Sequence, residues 1–426
     1  MIKKTIKDLD LDIYSEVLDN GLKVFLVPLE NRKNYQINYF TKFGAGINEF
    51  VPVNESKKIK VPYGVAHFLE HKMFEQEDGE DPFSFFSKSG SDANASTGYK
   101  TTSYTVEGNN NIEENLEFLL NYVNSPHFTD ENVEKEKGII IEEVNMYQDE
   151  PETKLFDKSN KAVFKYHPYR VDIGGTEKSV RSITKEVLYK CYNTFYQPNN
   201  MFILIVGSFD KDKVLNVIKN NKKLNARKDN QEVVVIKSKE GLDVNKKLVE
   251  MKINNLALPK FVLTFKTDIS KISKIDRYKY KMIVDIFLYI LYGSSSIFRE
   301  EMFRKNLMTM FYSSKYIVDD FLLIEIIAET KKPKELYKEV IKTFKNLEIT
   351  KNDVERVKKV KIANEIYSTD KVQSIMNNLT NCLVDTDDIV YNKIDLLKSI
   401  TIDDILAVKK SINLDNSSFV IGYNKE

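Results

Sequence analysis

The sequence predicts an α+β chain of two related domains, and three observations carry that prediction. Apolar residues near the N-terminus alternate with a period of two, then give way to helical patterning within the same unit. The chain has 426 residues, too many for one ordinary core, so two domains of about 200 residues each are expected. A segment of the first half also recurs in the second. HFTDENVEKEKGI (127–139) and EITKNDVERVKKV (348–360) share Thr129/Thr350, Val133/Val354, Glu134/Glu355 and Lys137/Lys358, at a constant offset of 221 residues.

Taken in order, GLKVFLVPL (21–29) and YQINYFTKFGAG (35–46) read as strands. GVAHFLEHKMFE (64–75) opens at a glycine after Pro62 and Tyr63 and places Val65, Phe68 and Leu69 on one apolar side, which predicts a helix. A polar turn leads to a strand around ASTGYKTTSYTVEG (95–108), then to helices over 111–125 and 130–150. FILIVGSFD (202–210) closes the first half as a strand. The least periodic and most polar stretch is KNNKKLNARKDNQE (219–232), so the expected division is a first domain over 1–225, a linker over 226–245 and a second domain over 246–426. Leu288 and Tyr292 stand where His67 and His71 would recur, so only the first domain can carry metal chemistry.

Lys+Arg 64 against Asp+Glu 63 leaves a net charge of +1, which argues against nucleic acid or an anionic membrane surface as partner. No window of about 18 apolar residues is evident, and the N-terminal lysines precede no uninterrupted apolar core, so no membrane insertion and a cytoplasmic location are expected. Cys191 and Cys382 form no C-x-x-C pair and read as core thiols.

The chemistry is expected in HFLEH (67–71). Residues four apart on a helix project side by side, so His67 and His71 can share one tetrahedral ion. Glu70 borders the same patch without ligating, where it can deprotonate a water as a general base. Two of the chain's four histidines fall in this window, which weighs against coincidence. The alternative is a pair of buried, hydrogen-bonded core histidines with Glu70 facing a surface lysine. Downstream, EKEKGIIIEEV (134–144) puts Glu136 and Glu143 two turns apart on one face of a helix. As third ligand Glu143 would complete a His₂Glu site with one open position, and Glu136, with Glu142 as a further candidate, would orient ligands from behind. His127 and His167 each neighbour a proline and an aromatic residue and read as structural.

The chain resembles the inverted-zincin peptidase family of pitrilysin, insulin-degrading enzyme and the mitochondrial processing peptidase, and most of all its small two-domain bacterial members. The resemblance rests on HFLEH, SDANASTGYKTTSYTVEG (91–108), VEKEKGIIIEEVNMYQDEP (133–151), YHPYRVDIGGTEKSVRSIT (166–184) and FYQPNNMFILIVG (195–207). It implies two domains, each a mostly antiparallel sheet with helices on one face, forming half of a clamshell. It implies one Zn²⁺ per chain held by His67, His71 and Glu143, with Glu70 as base and Glu136 as supporting carboxylate. The segment matching 93–97 is an edge strand that adds the peptide substrate as a further strand, which makes Asn94, Ala95 and Ser96 substrate contacts. Active members also carry an arginine and a tyrosine in their second half. Aligned on Phe298 and Leu307, this chain has Ser296 and Thr309 there, with Arg299, Arg304 and Tyr312 out of register. A heterodimer is therefore expected, in which a related subunit supplies the arginine and tyrosine. The expected function is an endopeptidase for peptides or unfolded precursor segments, with maturation of a ribosomally made peptide as one use; the alternative is a non-catalytic scaffold of the same fold.

Overall fold

A computed structural model describes residues 1–227 and 231–425 of the protein. Two compact units are present, and neither is continuous in sequence. The first gathers Met1–Asn145, Val171–Lys237 and Ile366–Tyr391; the second gathers Met146–Arg170, Ser238–Glu365 and Asn392–Glu426.

The strands of the first unit are β1 (Ile2–Ile6), β2 (Leu11–Val17), β3 (Lys23–Pro28), β4 (Tyr35–Thr41), β5 (Glu49–Val51), β6 (Ile59–Lys60), β7 (Asp92–Thr97), β8 (Thr102–Gly108), β9 (Met201–Gly207) and β10 (Val234–Val235). Its main sheet runs β1-β2-β3-β9-β4-β8-β7, with β3 and β9 parallel and every other pair antiparallel, while β10-β5-β6 form a small second sheet. Sequence β9, MFILIVG, is apolar at nearly every position because it is buried on both faces. Ile203 and Ile205 join Tyr39, Phe68, Leu69, Leu116 and Leu188 in the main core, beneath the helices Val65–Lys72, Ile112–Val123 and Lys185–Phe195. On the opposite face, Phe202 and Leu204 meet Ile13, Phe25, Phe40 and the apolar stripe Val372, Ile375, Met376, Leu379, Leu383 of the helix Val372–Thr386.

The segment expected as one strand over 95–108 is the hairpin β7–β8, whose turn closes with the Gly98 N–H donating to the Thr101 carbonyl at 2.8 Å. Alternation runs through both arms and hides the turn, which Gly98 marks.

The second unit repeats five strands of the first. Its strands β11 (Leu248–Ile253), β12 (Lys260–Asp268), β13 (Met310–Val318), β14 (Phe321–Glu329) and β15 (Ser417–Asn424) run β11-β15-β12-β14-β13. That is the connectivity of β3-β9-β4-β8-β7, including the single parallel pair. The repeated helices start alike: Thr129 exchanges hydrogen bonds with Asn132, and Thr350 with Asp353, each through one backbone N–H in either direction. Leu288 and Tyr292 are core residues of the helix Lys274–Tyr292. This helix also qualifies the expectation of no long apolar window. An apolar stretch within Asp276–Arg304 is long enough by composition to cross a membrane, and it is mostly buried in the second core beside Phe265, Leu322 and Ile324.

Each sheet thus has a helix on the face away from its main core. For the second unit it is Pro151–Val163, which sets Leu155 and Ala162 against Ile253, Val262 and Val420. These two helices are the reason the compact units depart from a continuous 1–225/246–426 division. Residues 228–230 of the expected linker lie outside the described residues.

One group on β14 makes the stability of the second unit pH-dependent. Burial raises the Glu325 carboxyl from the ordinary 4.5 to about 7, with a hydrogen bond from Tyr316 opposing. A raised folded-state value means that its favourable contribution is present below about pH 4.5 and is lost as pH rises through about 7. Glu325→Gln should therefore flatten the pH profile and stabilise the second unit at pH 8 by roughly 2–3 kcal/mol, measured by urea denaturation at pH 5 and pH 8; an unchanged profile would contradict this assignment.

Candidate metal centre and active site

The helix Val65–Lys72 begins at Gly64, whose φ of 85° lies in the left-handed region. A Cβ there would stand 2.4 Å from the Gly174 carbonyl oxygen, and a Cβ on Gly175 (φ 83°) would stand 2.6 Å from the Tyr63 carbonyl oxygen. The turn at 172–175 therefore packs backbone to backbone on the helix start, a fit that only glycine permits. Gly174 lies beside the metal-type residues, since its absent Cβ would meet Val144 Cγ2 at 2.7 Å and His67 Nδ1 at 3.8 Å.

From this helix His67 and His71 project side by side, ring centroids 4.6 Å apart and planes at 66°. The helix Asp130–Asp149 buries Val133, Ile140, Ile141 and Val144 and delivers Glu136 and Glu143 to the histidines. Glu143 Oε2 lies 3.3 Å from His71 Nε2 and 3.8 Å from His67 Nε2. One donor atom from each of His67, His71 and Glu143 falls within 4.8 Å of the others. Bonds of about 2.0–2.1 Å to a tetrahedral zinc ion would bring such donors to about 3.3 Å from one another, so the set fits the ion with small side-chain adjustments. Two neutral imidazoles and a carboxylate are also the donor types of catalytic zinc.

Glu136 stands behind His71, its Oε1 3.0 Å from Nδ1. The tautomer that satisfies this contact carries the proton on Nδ1 and leaves the Nε2 lone pair toward Glu143. Lys72 is fully buried, bonds Glu75 and lies 3.8 Å from the second oxygen of Glu136. Glu70 is 8% exposed, and its Oε2 accepts a hydrogen bond from the Thr97 hydroxyl at 2.6 Å.

These surroundings separate the groups electrostatically. Burial, then the neighbouring His71, drops His67 to about 4, which keeps it the neutral imidazole a metal requires. At His71 burial opposes protonation, but the hydrogen bond and charge of Glu136, with Glu143 and Glu70, raise it overall. Burial pushes the Glu70 carboxyl up, with Thr97 and His71 opposing and Glu143 adding. Glu136 is buried as well, yet the hydrogen bond and charge of His71 and then the charge of Lys72 hold it below the usual carboxylate range.

The expected substrate segment lies on β7, at the edge of its sheet. Asn94 and Ser96 are exposed, Ala95 is half-buried against the core, and the strand ends at Thr97, which touches Glu70. Glu142 is exposed and has no hydrogen bond or ion pair among the described residues. His167 is structural, with Asp319 Oδ2 3.2 Å from Nε2 and the Tyr169 N–H donating to Nδ1. Thr97, Lys72 and Gly174 escaped the sequence reading, although all three lie in or beside the motifs it used. In the second unit Ser296 caps the helix Ile297–Arg304, the Thr309 hydroxyl donates to Glu329, and the Arg299 guanidinium is engaged by the carbonyls of Tyr292 and Phe311.

An inverted H-x-x-E-H helix with a glutamate from a second helix defines a metallopeptidase-type centre, and comparison with known proteins agrees. Residues 54–177 match the insulinase domain of peptidase family M16, and residues 182–361 match the domain described as the M16 inactive domain. The uncharacterized zinc protease YmfH of Bacillus subtilis is 34% identical over 398 residues, 92% of each chain. Among solved structures, an M16-like peptidase from Alicyclobacillus acidocaldarius superposes with a TM-score of 0.90 at 27% identity, covering 98% of this chain and 99% of that one. Pitrilysin superposes with a TM-score of 0.78 at 16% identity over 100% of this chain and 46% of its own. The chain belongs to peptidase family M16.

Removing the support behind His71 should weaken the metal more than the fold. Glu136→Gln is expected to lower zinc affinity by about 10–100-fold with little change in melting temperature of the metal-free protein, checked by competition with a zinc chelator. Gly174→Ala should also lower zinc affinity, because its methyl group must displace Val144 next to Glu143.

Proposed function

We propose that the protein is a zinc-dependent endopeptidase acting on peptides or unfolded precursor segments, as the catalytic subunit of a pair. The convergence of His67, His71 and Glu143 donors beside a buried Glu70 is the observation that carries this reading. Zinc held by His67, His71 and Glu143 would supply a Lewis acid that polarises the scissile carbonyl and acidifies water. Glu70 Oε1 takes the proton from the attacking water, while Oε2 stays on the Thr97 hydroxyl, so the carboxylate keeps one orientation throughout. Its raised affinity for a proton suits it to hold that proton and return it to the leaving amine. Glu136 keeps the His71 ring in place and Lys72 keeps Glu136 charged. β7 binds the substrate as an added strand, with Asn94, Ala95 and Ser96 along it; edge pairing holds an extended peptide by its backbone.

Pairing is supported by two observations. This chain spans under half of pitrilysin's length. Ser296 and Thr309 are committed to a helix cap and to Glu329, where active relatives would place an arginine and a tyrosine. A related subunit would then supply both. An absent oxyanion donor costs about 3 kcal/mol, so the protein alone should be slow by a factor of about 100 or more. Short chains fit a closed chamber, and maturation of a ribosomally made peptide in the cytoplasm is the use we favour.

The test is cleavage of quenched peptides by zinc-quantified protein, alone and mixed with the candidate subunit. One zinc per chain, cleavage in the mixture, and its loss in Glu70→Gln with zinc retained are expected. Zinc-free protein, silent with and without the subunit, would instead identify a scaffold.

A further inference from the structure

The face of β7 turned away from the helix Val65–Lys72 opens into a groove of about 580 Å³ that the proposed chemistry does not use. Strand register lays its floor in three rows across β7, β8 and β4. Asp92 pairs with Glu107 and Glu107 with Gln36; Asn94 with Thr105 and Thr105 with Asn38; Ser96 with Ser103 and Ser103 with Phe40. All but Phe40 are polar, whereas the other face of the same strands puts Ala93, Val106 and Ile37 into the main core. The wall is Gln373, Asn377, Thr380 and Asn381, which share one face of the helix Val372–Thr386. A polar patch at the level of a covered sheet calls for a polar occupant.

The first row shows what that occupant must offer. Gln36 is 3% exposed, and its Nε2 donates to Asn38 Oδ1 at 3.2 Å, but its Oε1 is buried with no partner. An unpaired buried acceptor is costly, and it marks a place where a donor belongs. In the same row Asp92 and Glu107 face each other across two strands, and neither has an ion pair among the described residues. Like charges directly opposite on a sheet repel. Burial and then the charge of Asp92 push the Glu107 carboxyl up. The row therefore brings together two carboxyl groups and one unpaired amide oxygen, while the Gln36 amide nitrogen is turned to Asn38.

Lysine and arginine are the side chains that carry only donors and a positive charge. A peptide strand added to the edge of β7 would continue each row by one residue, and on this face its alternate side chains enter the groove. We infer that the groove is a specificity site of the peptidase proposed above, on which this inference rests, and that its Asp92–Glu107–Gln36 row selects a lysine or arginine of the bound peptide. Thr97, at the other end of β7, touches Glu70, so at about 3.4 Å per residue the selected residue lies about 17 Å, or five residues, from the bond that is cut. Residues between them on the same face meet the hydroxyls and amides of the other two rows, which suits serine, threonine, asparagine or glutamine.

The test uses full-length, zinc-loaded Glu70→Gln protein and fluorescent peptides in which one lysine is walked along a serine-rich sequence, each matched by a norleucine peptide. Binding is read by anisotropy. At one register the lysine peptide should bind at least about tenfold more tightly than its norleucine match, the scale of one charge-assisted contact. In Asp92→Asn/Glu107→Gln that ratio should fall to near one, with the zinc content reporting that the unit is folded; Asp92→Asn alone, at an exposed position, should give an intermediate ratio. No lysine preference at any register, or the same preference in the double variant, would overturn the inference. Cleavage of the same peptides by protein with Glu70 intact separates the two readings. Lysine-selective binding without cleavage in any mixture would remove the peptidase and keep the groove, whereas cleavage indifferent to lysine would remove the groove and keep the peptidase.

Discussion

The hydrogen bond between His71 Nδ1 and Glu136 is the contact on which the rest of the centre depends. It joins the short helix that carries both histidines to a long helix 65 residues further along the chain. Once the imidazole is turned to meet Glu136, its other nitrogen has one direction left, toward Glu143 on the same long helix. Buried, charge-assisted contacts of this kind contribute roughly 1.5–3 kcal/mol. Here the energy serves orientation, because Ile140, Ile141 and Val144, on the face of the long helix that adjoins the carboxylates, are anchored in the core and hold both carboxylates at a fixed height.

The centre also shows one residue type divided into different tasks by surroundings alone. Glu136 has a histidine and a buried lysine against it and stays ionised. Glu70 sits in the same helix turn as the ligands, yet its burial outweighs the Thr97 hydroxyl and the charge of His71, and its proton is held more tightly. Glu143 is more open and faces both histidines. The spacing in sequence is a helical geometry, but the partners that separate these roles come from three distant parts of the first unit. Environments that push like groups apart are how acid and base functions coexist at one pH.

That distinction explains how much was legible in the sequence. A helix has a fixed period, so HFLEH and the seven-residue step from Glu136 to Glu143 translate directly into shared faces, and the structure brings these five side chains together. The repeat was legible because Thr129 and Thr350 begin equivalent helices through the same reciprocal hydrogen bonds. What stayed hidden depends on pairing between segments far apart. Gly174 matters because a turn about 110 residues downstream lies against the start of the histidine helix, and nothing local in its sequence says so. Thr97 reaches Glu70 only because the helix Val65–Lys72 packs against β7, a strand 27 residues further along the chain. An apolar stripe such as Ile375, Met376 and Leu379 declares that the helix is covered, but not which sheet covers it.

The exchange of covering helices has a consequence for how the chain can be divided. A cut in the polar stretch near residue 230 does not separate two self-sufficient halves. The N-terminal fragment would keep Pro151–Val163, whose apolar side belongs to β12 and β15, and would lack Val372–Thr386, leaving Phe25, Phe202 and Leu204 bare to water. The C-terminal fragment would be short of its helix in the same way. Each fragment holds the missing part of the other, so the natural outcome of nicking is fragment complementation, and the repeated fold is an interlock that neither half can leave alone.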